Sequence, residues 1–187
     1  MSRESRFISR VLRHAPQDAG LTLDAAGWVS VADLLRGMRA AGHRLTREDL
    51  ARLVEENDKR RFTLSADGQR IRAAQGHSVD VDLGHPPARP PATLFHGTAT
   101  RSLDGIFREG IRPAKRQSVH LSADVATAMA VGARHGSPVV LAVEAGEMFE
   151  AGHEFRVADN GVWLTDHVPP ERLSFAVRPP GEDGPAA

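Results

Sequence analysis

The stretch "LGHPPARPPATL", residues 83 to 94, packs four prolines into twelve positions. Proline has no amide proton and holds φ near −65°, so neither a helix interior nor a central strand passes through such a run. The segment reads as a stiff, extended linker that splits the 187-residue chain into two parts. The expected boundaries are a first lobe over 1–85, a linker over 86–92, a second lobe over 93–180 and a disordered Pro- and Gly-rich tail over 181–187.

In the first part, Phe7, Ile8, Val11 and Leu12 recur at helical spacing and predict a helix from about Arg3 to His14, which Pro16 keeps from continuing. A second helix is expected over Val31 to Ala41, with Ser30 as N-cap and Val31, Leu34, Leu35 and Met38 inward. After "GHRL", Thr46 and Asp49 make a capping-box pair and Leu45 can staple onto Leu50, which starts a third helix running to about Glu56. A hairpin follows. Taking Asp67-Gly68 as a two-residue type I′ loop pairs Leu64 with Ile71, Thr63 with Arg72 and Phe62 with Ala73. That register puts Phe62, Leu64, Ile71 and Ala73 on one face, and Arg61, Thr63, Ser65, Arg70 and Arg72 on the other. An ordinary solvated strand face accounts for the charge, and an anion-binding surface is the alternative. Helices joined by a short turn and followed by a hairpin give winged-helix order.

The second part is expected to be α+β. "TLFHGT" reads as a short apolar stretch entering a His-Gly-Thr turn, and "SLDGIFREG" as a short helix with Leu103, Ile106 and Phe107 inward. "SVHLS" reads as a strand, and "ADVATAMAVGARHG" as a helix begun by Ser122 or Asp124 and closed by Gly136. "PVVLAVEA" is a buried strand by its β-branched run, and "HEFRVA", "GVWLT" and "RLSFAVR" add further strands.

Composition excludes several classes. With 24 basic and 24 acidic residues, the chain has no bulk field to capture nucleic acid, so anion binding must come from local clusters. No apolar run approaches a membrane span, and the N-terminus lacks the features of a signal peptide. The absence of cysteine removes disulfides and thiolate metal sites and fits the cytoplasm. The nine histidines show no close ligand spacing, so no metal is expected. Neither a Rossmann glycine motif nor a P-loop is present.

The strings "VLRHAP", "GWV", "NDKRRF", "IRAAQGHS", "LFHGT", "SLDGIFREGI" and "KRQSVHLS", in this order, resemble the NAD-dependent RNA 2′-phosphotransferases, the tRNA 2′-phosphotransferase family. The resemblance covers roughly residues 3 to 178 and is specific as an ordered set, although each string alone is weak. It implies a winged-helix RNA lobe, then an ADP-ribosyltransferase-like mixed α/β lobe that binds NAD, with both ligands in a cleft between them. It also implies a two-step reaction without a metal. An internal RNA 2′-phosphate, as at a tRNA splice junction, first attacks the nicotinamide ribose of NAD+. The 2″-hydroxyl of that ribose then attacks phosphorus, leaving 2′-OH RNA and ADP-ribose 1″,2″-cyclic phosphate.

By the same resemblance the catalytic positions are Arg13, His14, Arg61 and Arg116, with Arg60 a competitor that the Arg-Phe dipeptide sets aside. NAD-facing positions are His96, Gly97, Thr98, His120 and Ser122, with Ser102 and Gly105 as further candidates. Lys59, Arg72, Gln75, His77 and Ser78 would line the path of the RNA phosphates. Guanidinium forks suit phosphate oxygens, and a histidine can deliver a proton to the departing oxygen. His14 also reads simply as a helix-dipole cap, and His96 and His120 as satisfied core histidines. Phe95 stands where the family often has tyrosine, and the glutamate of protein-modifying ADP-ribosyltransferases is not assignable. The expected partner is RNA bearing a 2′-phosphate, with no membrane and no obligatory protein partner, for a monomer. The competing readings are a terminal-phosphate ADP-ribosyltransferase and a non-enzymatic winged-helix regulator.

Overall fold

The computed structural model describes residues 2–57, 60–114 and 116–177. The predicted tail over 181–187 and Lys59 lie outside them. The chain divides into two units: Met1–His85 with Ala158–Asn160, and Pro86–Val157 with the residues from Gly161 onward. Both helices and antiparallel strands build each unit, an α+β organisation.

The first unit starts with α1, Arg3–Arg13, whose N-cap Ser2 accepts from the Ser5 amide. Pro16 opens a short 3₁₀ turn. Strand β1, Val29–Ser30, runs into α2, Val31–Ala40, where the Ser30 hydroxyl accepts from the Asp33 amide as expected. Helix α3, Arg47–Glu55, has the full capping box of Thr46 and Asp49. Strands β2, Phe62–Leu64, and β3, Arg70–Ala73, pair in the expected register. Strand β1 joins the other edge of β3, giving the order β1-β3-β2. Ile8, Leu12, Leu34, Met38, Leu50 and Ile71 are wholly buried, each stabilising the unit by about 1.5–3 kcal/mol. Leu45 packs on the same core as Leu50.

The hairpin turn is not type I′. That type needs positive φ at both central residues, and in this turn only Gly68 adopts it, at 65°. The Gly68 amide donates to the Ser65 carbonyl, while the Asp67 carboxylate accepts from the Ser65 hydroxyl and the Gln69 amide. The aspartate closes the turn with its side chain, and so does not need the left-handed backbone that an L-residue adopts at a cost.

In the second unit, β4, Leu94–Ala99, lies antiparallel to β6, Pro138–Val143, which also pairs with β9, Leu173–Val177. A second sheet has the order β5-β8-β7, from Val119–Leu121, Trp163–Thr165 and Arg156–Val157. Helices α4, Leu103–Glu109, α5, Val125–Gly132, and α6, Ala145–Glu150, complete it. Helix α6 was not foreseen. Helix α5 starts from Asp124, not Ser122, and ends before Gly136. Phe107 faces outward, 38% exposed, and its ring tilts against Phe175 at 5.2 Å.

One expectation is corrected: His96, Gly97 and Thr98 lie inside β4 rather than in a turn, because each pairs across to Leu141, Val140 and Val139. Within residues 86–92 the Ala88 amide donates to the Phe155 carbonyl, Pro87 bridges Arg156, and the Ala92 carbonyl accepts from the Gly146 amide. Prolines forbid ladder formation but leave the carbonyls able to dock.

Gly97 sets how closely α5 approaches β4. A Cβ there would stand 1.7 Å from the Ala128 carbonyl oxygen and 2.9 Å from the Gly132 nitrogen, so backbone touches backbone. Gly105, by contrast, would point a Cβ into open space from the middle of α4. Gly97→Ala should therefore destabilise by about 3 kcal/mol or more, lowering Tm by roughly 6 °C or more. Gly105→Ala should stabilise by about 0.5–1 kcal/mol. Thermal unfolding of both variants checks this, and a silent Gly97→Ala contradicts the packing.

Candidate active site

In the first unit, α1 ends where its last carbonyl has no helical partner. The amides of Ser78 and Val79 donate to that Arg13 carbonyl, at 2.9 and 3.3 Å. This brings the loop after β3 beside the helix end, and the His14 Nδ1 and Ser78 hydroxyl share a hydrogen bond of 2.9 Å. Arg13 Nη2 donates to the Arg61 carbonyl at 3.3 Å, and that carbonyl also accepts from the Ala74 amide at 2.9 Å. Arg61 Nη1 donates to the Asn57 side-chain oxygen at 3.0 Å. Arg13, His14, Arg61 and Ser78 are thus tied into one constellation through two backbone carbonyls.

Beneath it lies His77, only 2% exposed. Burial first, then the charges of Arg13, His14, Arg72 and His85, push its pKa down to about 4. Among the described residues its Nε2 has no hydrogen-bond partner, and neither has the buried Gln75 Oε1. His77 is thus held inside the unit rather than presented at its surface. Arg72 is also committed internally. Its guanidinium donates to the Leu83 carbonyl at 3.0 Å and the Asp159 carboxylate at 3.1 Å, and it lies 4.7 Å over the Trp28 ring. Asp159 also accepts from the Thr63 hydroxyl at 2.8 Å. The polar face of β2 and β3 therefore holds a carboxylate that sequence reasoning did not anticipate, since Asp159 comes 96 residues after Thr63.

In the second unit, Phe95 of β4 and Ser122 exchange both backbone hydrogen bonds, at 2.9 and 2.8 Å. That bridge sets β4 beside the end of β5, and the His96 Nδ1 lies 3.3 Å from the His120 carbonyl. Burial lowers the His96 pKa; the bond to His120 opposes that shift, while Arg116 and His135 add to it. Arg116 has its pKa lowered by desolvation and by Arg134. Among the described residues no carboxylate pairs with Arg116 or Arg134. Arg134 and His135, just past α5, were missed; the only sequence signal was their place after an alanine-rich helix. Two guanidiniums beside a His96 ring that burial weights to the neutral form fit a dianionic pyrophosphate such as that of a dinucleotide.

Gly97 and Thr98 serve packing, the first under α5 and the second 7% exposed. Ser102 is exposed at the start of α4 and makes no capping bond, and Gly105 faces open space. Among the described residues no three His, Asp or Glu side chains gather as a metal ion requires. No described helix is long and apolar enough to cross a membrane.

Among the described residues two non-glycines have left-handed backbone, Arg60 at φ 41° and Ala114 at φ 55°. One directly precedes Arg61 and the other stands two residues before Arg116, whose amide donates to the Pro113 carbonyl. Such conformations cost roughly 1–3 kcal/mol each and cluster at functional sites.

Comparison with known proteins gives the family. The family model described as "RNA 2′-phosphotransferase, Tpt1 / KptA family" matches residues 1–167. A protein of Agrobacterium fabrum named "Probable RNA 2′-phosphotransferase" is 64% identical over 165 residues, covering 88% of this chain and 89% of that protein. Proteins of the same name from Streptomyces griseus and Pseudomonas aeruginosa are 54% and 55% identical. They are matched over 90% and 88% of this chain and over 93% and 91% of their own lengths.

The depressed pKa of His77 has a measurable sign. The fold favours its neutral ring, so stability is complete above pH 6.5 and falls as pH drops toward 4, by about 3 kcal/mol in all, flattening below. An NMR titration should place the His77 midpoint near 4, and a midpoint above 6 contradicts the burial described.

Proposed function

Because the chain belongs to the RNA 2′-phosphotransferase (Tpt1 / KptA) family, we propose that it removes an internal 2′-phosphate from RNA at the expense of NAD+. The observation that carries the reading is the constellation of Arg13, His14 and Arg61 around the carbonyls that end α1 and precede β2. Three helices followed by the hairpin β2–β3, with β1 from between α1 and α2 on its edge, support a winged-helix RNA lobe. The two antiparallel sheets of the second unit, with α5 against β4, support an ADP-ribosyltransferase-like NAD lobe. The enzyme works as a monomer in the cytoplasm, on RNA such as a spliced tRNA.

NAD+ supplies a ribose that loses nicotinamide to the attacking 2′-phosphate and whose 2″-hydroxyl then displaces the RNA, giving ADP-ribose 1″,2″-cyclic phosphate. The protein's part is orientation and charge. Arg13 and Arg61 hold the phosphate oxygens with forked donors, which lysine cannot imitate. Arg116 stabilises the charge that builds on the phosphorus oxygens in the second step. Ser78 holds His14 through Nδ1, so the proton delivered to the departing RNA 2′-oxygen travels on Nε2. The 2″-hydroxyl releases a proton as its oxygen bonds to phosphorus, and the proton count balances. Gln75 and Ser78 line the phosphate path, while His77 and Arg72 hold its frame from below. His96, His120 and Ser122 bind NAD+ together with Arg134 and His135, and Ser102 and Gly105 flank that site.

Incubation with a 2′-phosphorylated oligonucleotide and NAD+ should yield 2′-OH RNA, nicotinamide and the cyclic phosphate. RNA that keeps its phosphate and gains ADP-ribose would instead identify an ADP-ribosyltransferase, and untouched NAD+ with bound RNA a regulator. His14→Ala should accumulate RNA enlarged by ADP-ribose; a variant that leaves NAD+ intact assigns His14 to the first step. Arg116→Ala should slow turnover by about 10²–10³-fold, and Arg116→Lys should not restore it.

A further inference from the structure

Residues 36 to 52 carry five arginines against Glu48 and Asp49, a local excess in a chain of zero net charge. Three of the five are taken. Arg36 pairs with Asp33, Arg52 pairs with Asp49 at 3.3 Å, and Arg47 Nη2 donates to the Gly68 carbonyl at 2.7 Å. Arg39, in the last turn of α2, and Arg44, in the loop that leads to α3, are exposed. Neither side chain makes a hydrogen bond or ion pair among the described residues.

These two arginines line an open groove of about 510 Å³ with Gly42, Leu45, Thr46 and Asp49. Ligand pockets for small apolar molecules are mostly hydrophobic, and here Leu45 is the single large apolar residue. The carboxylate in the groove is already neutralised. Asp49 accepts from the Thr46 amide and hydroxyl, at 3.3 and 2.8 Å, and pairs with Arg52. The bond from the Thr46 hydroxyl first, then that from the Thr46 amide, and last the charge of Arg52 hold its pKa below the usual range. The amides of Arg44 and Leu45 donate no hydrogen bond among the described residues, and they border the same groove.

We propose that this groove binds a backbone phosphodiester of the RNA substrate outside the reacting nucleotide, gripped by Arg39 and Arg44. The proposal rests on the RNA-processing reading above and extends it, since none of the groove residues belongs to the constellation around Arg13, His14 and Arg61. A phosphodiester fits better than a small ligand because the groove is open and offers two forked cations without an enclosed apolar floor. It fits better than an acidic peptide because the family's substrate is itself a polyanion. The groove makes the enzyme prefer long RNA to a minimal phosphorylated fragment.

The test uses the full chain and a labelled, unphosphorylated 20-nucleotide RNA. The double variant Arg39→Ala/Arg44→Ala should bind it roughly tenfold more weakly at low salt, with the slope of log K against log salt smaller by about 1. Arg39→Lys/Arg44→Lys should recover most of the binding, and Arg36→Ala, outside the groove, should change it less than twofold. On catalysis, kcat/KM should fall by the same factor for a 20-nucleotide RNA with one internal 2′-phosphate and stay unchanged for a 2′-phosphorylated dinucleotide. Unaltered RNA binding by the alanine variant overturns the proposal. So does an equal loss on both substrates, or a loss confined to a polyglutamate peptide. If the parent protein turns over neither RNA, the catalytic reading fails, while the binding measurement still decides the groove.

Discussion

The carbonyl oxygen of Arg13 is the joint on which the candidate site turns. A helix end must find partners for its last carbonyls, and α1 finds two in the amides of Ser78 and Val79. That choice fixes which loop lies beside Arg13 and His14, and through Ser78 it fixes the imidazole ring. The Arg61 carbonyl repeats the device by accepting from both the Arg13 guanidinium and the Ala74 amide. Helix, strand and loop are thus aligned by backbone atoms, and the cationic side chains inherit their positions. A net bond of this kind contributes only about 1 kcal/mol, but an orphaned buried partner costs more, which makes the arrangement hard to rearrange piecemeal.

Much of the first unit was legible because its signals are local. Ser30 before Val31, and Thr46 three residues before Asp49, satisfy amides within the same turn, so sequence spacing suffices to find them. The hairpin register followed from setting Asp67-Gly68 at its tip, and it survived an error in the turn type because Asp67 found a different way to close the same loop. What escaped were contacts with no local trace. Asp159 reaches Thr63 and Arg72 across some ninety residues of chain, 96 and 87 respectively. The packing reason for Gly97 also escaped: the glycine was read as NAD-facing, and the carbonyl of Ala128 stands where a side chain would go. Four residues of "FHGT" belong to a strand because β6 offers them partners, which no window around Gly97 could reveal.

The candidate residues divide by depth. Arg13 and Arg61 are joined through a backbone carbonyl, and left-handed residues stand one position before Arg61 and two before Arg116, a conformation that an unconstrained chain avoids. His77 and Arg72, read from sequence as phosphate contacts, turn out to carry structure: one is buried and neutral, the other bound to a carbonyl, a carboxylate and an indole. Sequence showed a cluster of cations without showing which of them face inward. Burial settles that, and burial depends on the whole unit.

The short segment Ala158–Asn160 counts with the first unit although the chain on both sides of it counts with the second. Its Asp159 is the counter-charge for an Arg72 side chain that is only 13% exposed. A fragment ending at residue 85 would therefore inherit a desolvated guanidinium stripped of its carboxylate, a defect worth several kcal/mol. The amino-terminal half is not a transplantable module, and any gene fusion or circular permutation must keep that distant tripeptide with it.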